Sequence, residues 1–235
     1  MTRFISMMWD EDVRDIEAGV AVHVVQELLL DLYRRHWPMG LISPPVGLRA
    51  FGTWVLQDAP EGSPYWSAQW YIEQSYEPSV DKIVASRFLS LIEAEPWQQS
   101  DPHYDLALVA HDLIASEGEL SNAPDSFVLG AAVPGMAAVI SIHRLRRILG
   151  IHEWQLAIRR LVLHFFGHLI GLPAGRYAGS GAPYHCPNLC VMRYAQDTQE
   201  LVRLAMEEEH AGITFCEQCS EYLKGIVIGH HFHLS

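Results

Sequence analysis

The sequence predicts an α/β protein in which helices pack against a mixed sheet of five strands, with a small cysteine-bound part towards the C-terminus. Three observations carry this expectation. Five short apolar runs are bounded by Gly, Pro, Asn and Asp, longer segments place apolar residues at helical spacing, and four cysteines fall into two close pairs.

Arg3 to Trp9 (RFISMMW) is short and apolar enough for a first strand. From Val13 to Arg35, the residues Val13, Ile16, Val20, Val24, Leu28 and Leu32 recur at helical spacing, giving a long amphipathic helix that packs on the sheet. His23 within it reads as solvated or core-satisfied rather than as a ligand. Pro38 and Ser43-Pro44-Pro45 break the chain, and Val46 to Phe51 alternates as a second strand. Residues 52–77, with Trp54, Tyr65, Trp66, Trp70, Tyr71 and Tyr76, form an irregular excursion whose rings fill a satellite core rather than wall a cleft. Pro78 to Ala94 carries Val80, Ile83, Val84, Phe88, Leu89 and Ile92 at helical spacing, a second helix opened by proline. Leu106–Ala110, Phe127–Ala132 and Met136–Ile142 supply three more strands, and further helices run over Glu153–Ile170 and Thr198–His210. The histidine-rich tail GHHFHLS is expected to fray. The loop-like stretch Pro173–Pro183 marks a boundary between a sheet-and-helix part, residues 1–171, and a cysteine-bound part, residues 172–235, with a cleft between them.

With 49% hydrophobic and 19% charged residues among 235, the chain can bury a substantial core. No apolar run reaches the roughly 18 residues of a membrane span. The first stretch, MTRFISMMWDEDVRD, carries acids where a signal peptide would have an apolar segment, so a cytoplasmic protein is expected. A net charge of −12 argues against nucleic acid as the main partner, since affinity for phosphate backbones comes from Lys and Arg. Peptide or protein partners suit it better.

Cys186-x3-Cys190 followed by Cys216-x2-Cys219 is the spacing of a tetrathiolate zinc site, each pair forming one knuckle. Four unrelated buried thiols are the alternative. Upstream, His164 and His168 lie four apart in an apolar helical run, so both imidazoles leave one face about one turn apart, as two ligands of one metal do. Gly171 can end that helix in a left-handed conformation, His185 can add a third nitrogen, and Met192 closes the stretch.

With these residues assembled, the sequence resembles the archaemetzincins, a branch of the metzincin zinc peptidases. Their pattern runs H-E-x-G-H-x-x-G-L, then a histidine directly before a cysteine, then C-x-M and C-x-x-C. His164, Gly167, His168, Gly171 and Leu172 match the first part; His185-Cys186, Cys190-Val191-Met192 and Cys216-x2-Cys219 match the rest. The resemblance implies a metzincin-like fold in which residues 153–170 form the active-site helix. It implies that His164, His168 and His185 hold a catalytic-type Zn2+, that Met192 is the Met-turn beneath it, and that Cys186, Cys190, Cys216 and Cys219 hold a structural Zn2+. It further implies that Phe127–Ala132 is the edge strand that receives an extended peptide, and that Tyr194 is a phenol able to stabilise an oxyanion.

Two departures from the family pattern stand out. Phe165 occupies the position of the glutamate that serves as general base, and a phenyl ring cannot move a proton. Thirteen residues, Leu172 to Tyr184, separate Gly171 from His185 where the family has two. A longer loop adds little closure entropy, so His185 can still return to the metal; if it does not, a helix with two buried, hydrogen-bonded histidines is the alternative. Asp112, Glu117, Glu153, Tyr177 and Tyr184 are the groups that could replace the base, and none is assigned to that role. The leading expectation is therefore a zinc protein impaired or inactive as a peptidase, a pseudoenzyme that binds a peptide or protein in its cleft. The alternatives are an active zinc metallopeptidase, a non-hydrolytic zinc enzyme acting on a peptide, or a structural protein that keeps only the cysteine site.

Overall fold

The computed structural model of the chain describes residues 3–36, 46–53, 55, 60–119, 126–172 and 185–232. It opens with β1 (Arg3–Trp9), α1 (Asp15–His36) and β2 (Val46–Gly52). The middle of the chain forms α2 (Ala68–Ser75), β3 (Tyr76–Glu77), β4 (Lys82–Val84), α3 (Ala85–Glu93), α4 (Pro96–Ser100), β5 (Tyr104–Val109) and β6 (Leu113–Ile114). Then come β7 (Gly130–Val133), β8 (Ala137–Ser141), α5 (Ile151–Leu169), α6 (Thr198–Ala211) and α7 (Glu217–Phe232).

The five expected strands form one mixed sheet in the order β2-β1-β5-β8-β7. The first four run parallel and β7 returns antiparallel to β8 at the edge. β5 is buried along its whole length, as a parallel strand covered on both faces must be. Its alternating side chains feed two cores. Leu106 and Leu108 join Val24 of α1 and Leu161 of α5 on one face, while Ala107 and Val109 join Ile72 of α2 and Phe88 of α3 on the other. The α1/α5 core continues past residue 171, because Cys186, Cys190, Met192, Leu201 and Leu223 belong to it. Among the described residues, no helix is long and apolar enough to cross a membrane.

Several elements differ from the sequence expectation. Residues 78–94 are not one helix: Ile83 and Val84 pair in register with Leu113 and Ile114 in a second sheet, β3-β4-β6, and α3 begins only at Ala85. Three residues are too few to show a strand period, so tertiary pairing decides. The excursion contains α2, and its rings form a cluster in which Tyr65 lies 4.6 Å from Trp70 and 5.6 Å from Trp97. β7 begins three residues later than expected, because Val128 bridges instead to Leu113. α7 continues through most of the tail expected to fray, residues 233–235 lying outside the described ones. His23 is solvent-exposed, 3.3 Å from Glu27.

Candidate metal centre

α5 carries the first two histidines on its final turns and ends abruptly. Gly171 adopts φ +92°, the Gly171 N–H donates to the His168 carbonyl at 2.9 Å, and the Leu172 N–H donates to the Gly167 carbonyl at 2.7 Å. This paired pattern is a Schellman stop, and the left-handed residue favours glycine. His164 Nδ1 lies 2.7 Å from the Val191 carbonyl, which fixes the ring and leaves Nε2 facing His168 Nε2 at 3.1 Å. His185 completes the group, its ring stacked 5.2 Å from that of His164 and set edge-on 5.0 Å from that of His168.

The ligand atoms of His164, His168 and His185 all lie within 4.8 Å of one another. Tetrahedral zinc with Zn–N near 2.0–2.1 Å spaces its nitrogens about 3.3 Å apart, so the trio fits zinc. Burial, then the neighbouring imidazole, holds His164 well below the ordinary histidine range. Burial, then His185, lowers His168 to about 4. Both rings are thus neutral near pH 7, the form that binds metal.

Beneath the histidines, a Cβ on Gly167 would lie 2.2 Å from Met192 Sδ, so only glycine lets the methionine pass this close to the helix. Met192 is completely buried, and its carbonyl accepts from the Cys186 N–H at 2.9 Å. Thus Met192 lies under α5 and also fastens the first cysteine.

The four cysteines form no disulfide and their sulfurs also lie within 4.8 Å of one another. Cys186 Sγ and Cys216 Sγ are 3.7 Å apart, close to the roughly 3.8 Å that Zn–S bonds of about 2.3 Å produce in a tetrahedron. Hydrogen bonding from Cys219 draws Cys190 down to about 6, while burial pushes Cys186 up to about 11 and the bond to Cys190 raises Cys219. Val191 links the two clusters: its carbonyl orients His164 while its N–H donates to the Thr214 carbonyl, two residues before Cys216.

A cleft of about 490 Å³ opens over the histidines, walled by Phe127, Leu129, Leu161, Phe165 and Leu201. Among the described residues that line it there is no carboxylate. Phe165 is 9% exposed, its ring 5.2 Å from that of His164. It sits hard against the edge strand, since a Cβ on Gly130 would be 2.6 Å from both Cε2 and Cζ of the ring. Tyr194, 46% exposed, places its ring 5.0 Å from that of His185. The acids weighed as replacement bases are elsewhere. Asp112 forms a two-pronged pair with Arg144, Glu117 pairs with Arg87, and Glu153 packs over Gly150 at the start of α5. Tyr177, Tyr184 and the rest of residues 173–184 lie outside the described residues.

Two contributors escaped the sequence reading. Arg160, one turn before His164 on α5 and 2% exposed, donates to Glu208 at 3.1 Å and to the Arg193 carbonyl at 2.7 Å. It thereby holds the segment between Met192 and Tyr194. Burial lowers Arg160 and raises Glu208 to about 7, each opposed by the other's charge. An arginine, Arg160, directly before the apolar run Leu161–Leu163 was the available signal. Gly130 was invisible as a partner of Phe165, because their contact crosses from sheet to helix.

No family model matches the sequence, and no curated protein matches it. The fold is similar to that of the archaemetzincin from Methanopyrus kandleri, with a TM-score of 0.58 and 19% identity over 95% of this chain and 94% of that one. It is also similar to the zinc-dependent peptidase from Methanocorpusculum labreanum, with a TM-score of 0.53 and 20% identity over 92% of this chain and 97% of that one. The α/β fold is archaemetzincin-like.

Proposed function

We propose that the chain is a zinc protein of archaemetzincin type that binds a peptide or protein segment in its cleft and is impaired or inactive as a peptidase. In this reading His164, His168 and His185 hold one zinc ion, and Cys186, Cys190, Cys216 and Cys219 hold a second, structural one. Bound at the histidines, zinc supplies Lewis-acid polarisation of a carbonyl. The observation that carries the reading is Phe165: beside the first histidine the chain presents a ring wedged against Gly130, and the described cleft lining offers no carboxylate in its place. General acid–base assistance is worth roughly 10²–10⁴-fold, so without it hydrolysis is reduced by that order.

For binding, the supporting features are the apolar walls and β7, which among the described residues has a sheet neighbour on only one side and so can add an extended peptide on the other. Four reduced thiols suit a reducing compartment, and we place the protein in the cytoplasm. The test uses zinc-loaded protein and a broad peptide library, with binding and cleavage measured separately. Binding without turnover is expected; robust cleavage that disappears in His164→Ala would overturn the proposal. One feature favours the second reading, a surviving zinc enzyme: Tyr194 stands beside His185 and is exposed enough to swing over the site. Turnover that is lost in Tyr194→Phe would select it.

A further inference from the structure

On the other side of the sheet, three side chains converge without a part in the centre described above. Glu95 precedes α4, His103 directly precedes β5, and Asp105 is the second residue of that strand. Their ligand atoms lie within 4.8 Å of one another. Glu95 and Asp105 are 1% and 5% exposed. The Glu95 carboxyl accepts from the Tyr71 hydroxyl through Oε1 and lies near the Trp97 side chain, while its buried Oε2 forms no hydrogen bond of normal geometry among the described residues. Asp105 Oδ2 accepts from the Gln98 amide at 3.0 Å and lies 3.3 Å from His103 Nε2. His103 Nδ1 is anchored 2.8 Å from the Asp101 carbonyl, the backing that orients an imidazole to present Nε2 as a ligand.

We propose that Glu95, His103 and Asp105 form a further metal site, for a first-row divalent cation such as Zn2+ or Mn2+. Once the ion displaces the proton of His103, two carboxylates and one neutral imidazole carry two negative charges, which a divalent cation balances where water is nearly excluded. An unsatisfied buried carboxylate oxygen costs free energy comparable to a lost charged hydrogen bond, and coordination satisfies it. Mixed oxygen and nitrogen donors in a group of three match zinc or manganese better than calcium, which takes six to eight oxygens. The site would also brace the cleft. The Asp105 N–H donates to the Met136 carbonyl in the β7–β8 turn, and the Gly135 N–H of that turn donates to the Leu169 carbonyl at the end of α5.

The test titrates the full-length, zinc-loaded chain with Mn2+, reading free ion by electron paramagnetic resonance, alongside total Zn2+ by elemental analysis. One divalent ion per chain is expected beyond those lost in His164→Ala and Cys216→Ser. His103→Gln and Glu95→Gln should each weaken it about tenfold or more. His103 is the most accessible of the three, with 11% of its side chain exposed, so its variant disturbs the core least. No additional Mn2+ or Zn2+ in the native protein would overturn the proposal and leave a cluster neutralised by protons. An additional ion that His103→Gln does not weaken would overturn it too.

Discussion

Replacing Phe165 by glutamate puts a carboxylate where the ring now lies, one residue beyond His164 and against Gly130. If the cleft lacks only a base, zinc-loaded Phe165→Glu gains peptide hydrolysis of roughly 10²–10⁴-fold, a barrier reduction of about 2.7–5.4 kcal/mol. Stability moves the other way. Removing a buried phenyl ring costs about 3–5 kcal/mol where the void stays empty, and less here, because the ring borders an open cleft of about 490 Å³ that water can enter. The assay is kcat/KM on the best-binding library peptides for native protein, Phe165→Glu and Phe165→Gln, with zinc content measured on each. Glutamine opens the same space but cannot take a proton. Equal gains in both variants would show that the ring is a steric plug rather than a missing base. No gain in either, with zinc retained, would show that more than the base has been lost.

Gly167→Ala drives a methyl into Met192, so overpacking of about 1–3 kcal/mol outweighs the roughly 1 kcal/mol that alanine gains in a helix. Thermal unfolding should report a net loss, and zinc at the histidines should bind more weakly. If the cysteines hold the proposed structural ion, Cys216→Ser should release it and with it the roughly 2.7 kcal/mol or more that an ion contributes at a hundred times its Kd, seen as a lower Tm and one zinc fewer by elemental analysis. Glu17 is fully buried and accepts from Arg14 and Arg146; burial alone would raise its pKa, but those bonds outweigh it and hold the carboxyl below 4.5. Its pH-linked contribution is therefore present above pH 4.5 and lost as pH falls through the depressed value. Denaturant unfolding should show native protein more stable than Glu17→Gln at pH 7, with the difference shrinking in acid.

Long periodic segments and local motifs were legible in the sequence. The run RFISMMW gave β1 with its observed ends, and the apolar stretch around His164 gave α5 to within two residues. The pairing of His164 with His168 and the grouping of the four cysteines were readable because those residues sit at fixed spacings on one helix and in short knuckles, whereas His185 joins the histidines across the long insert. What could not be read depends on partners distant along the chain. Ile83 and Val84 fit a helical pattern equally well and became a strand only because Leu113 and Ile114 lie alongside. The 2.6 Å approach that seats Phe165 on Gly130 and the Arg160 bond to the Arg193 carbonyl join elements whose relative placement no local pattern encodes. Glu95 and Asp105 likewise meet only once β5 is in the sheet and α4 covers its start.

The most direct test of the central claim is metal content per chain, by elemental analysis of native protein and of His164→Ala. The account predicts that the variant holds one zinc ion fewer than the native protein while keeping the cysteine-bound ion. Identical zinc content in both would mean that the histidines hold no metal, and would contradict the zinc-containing cleft.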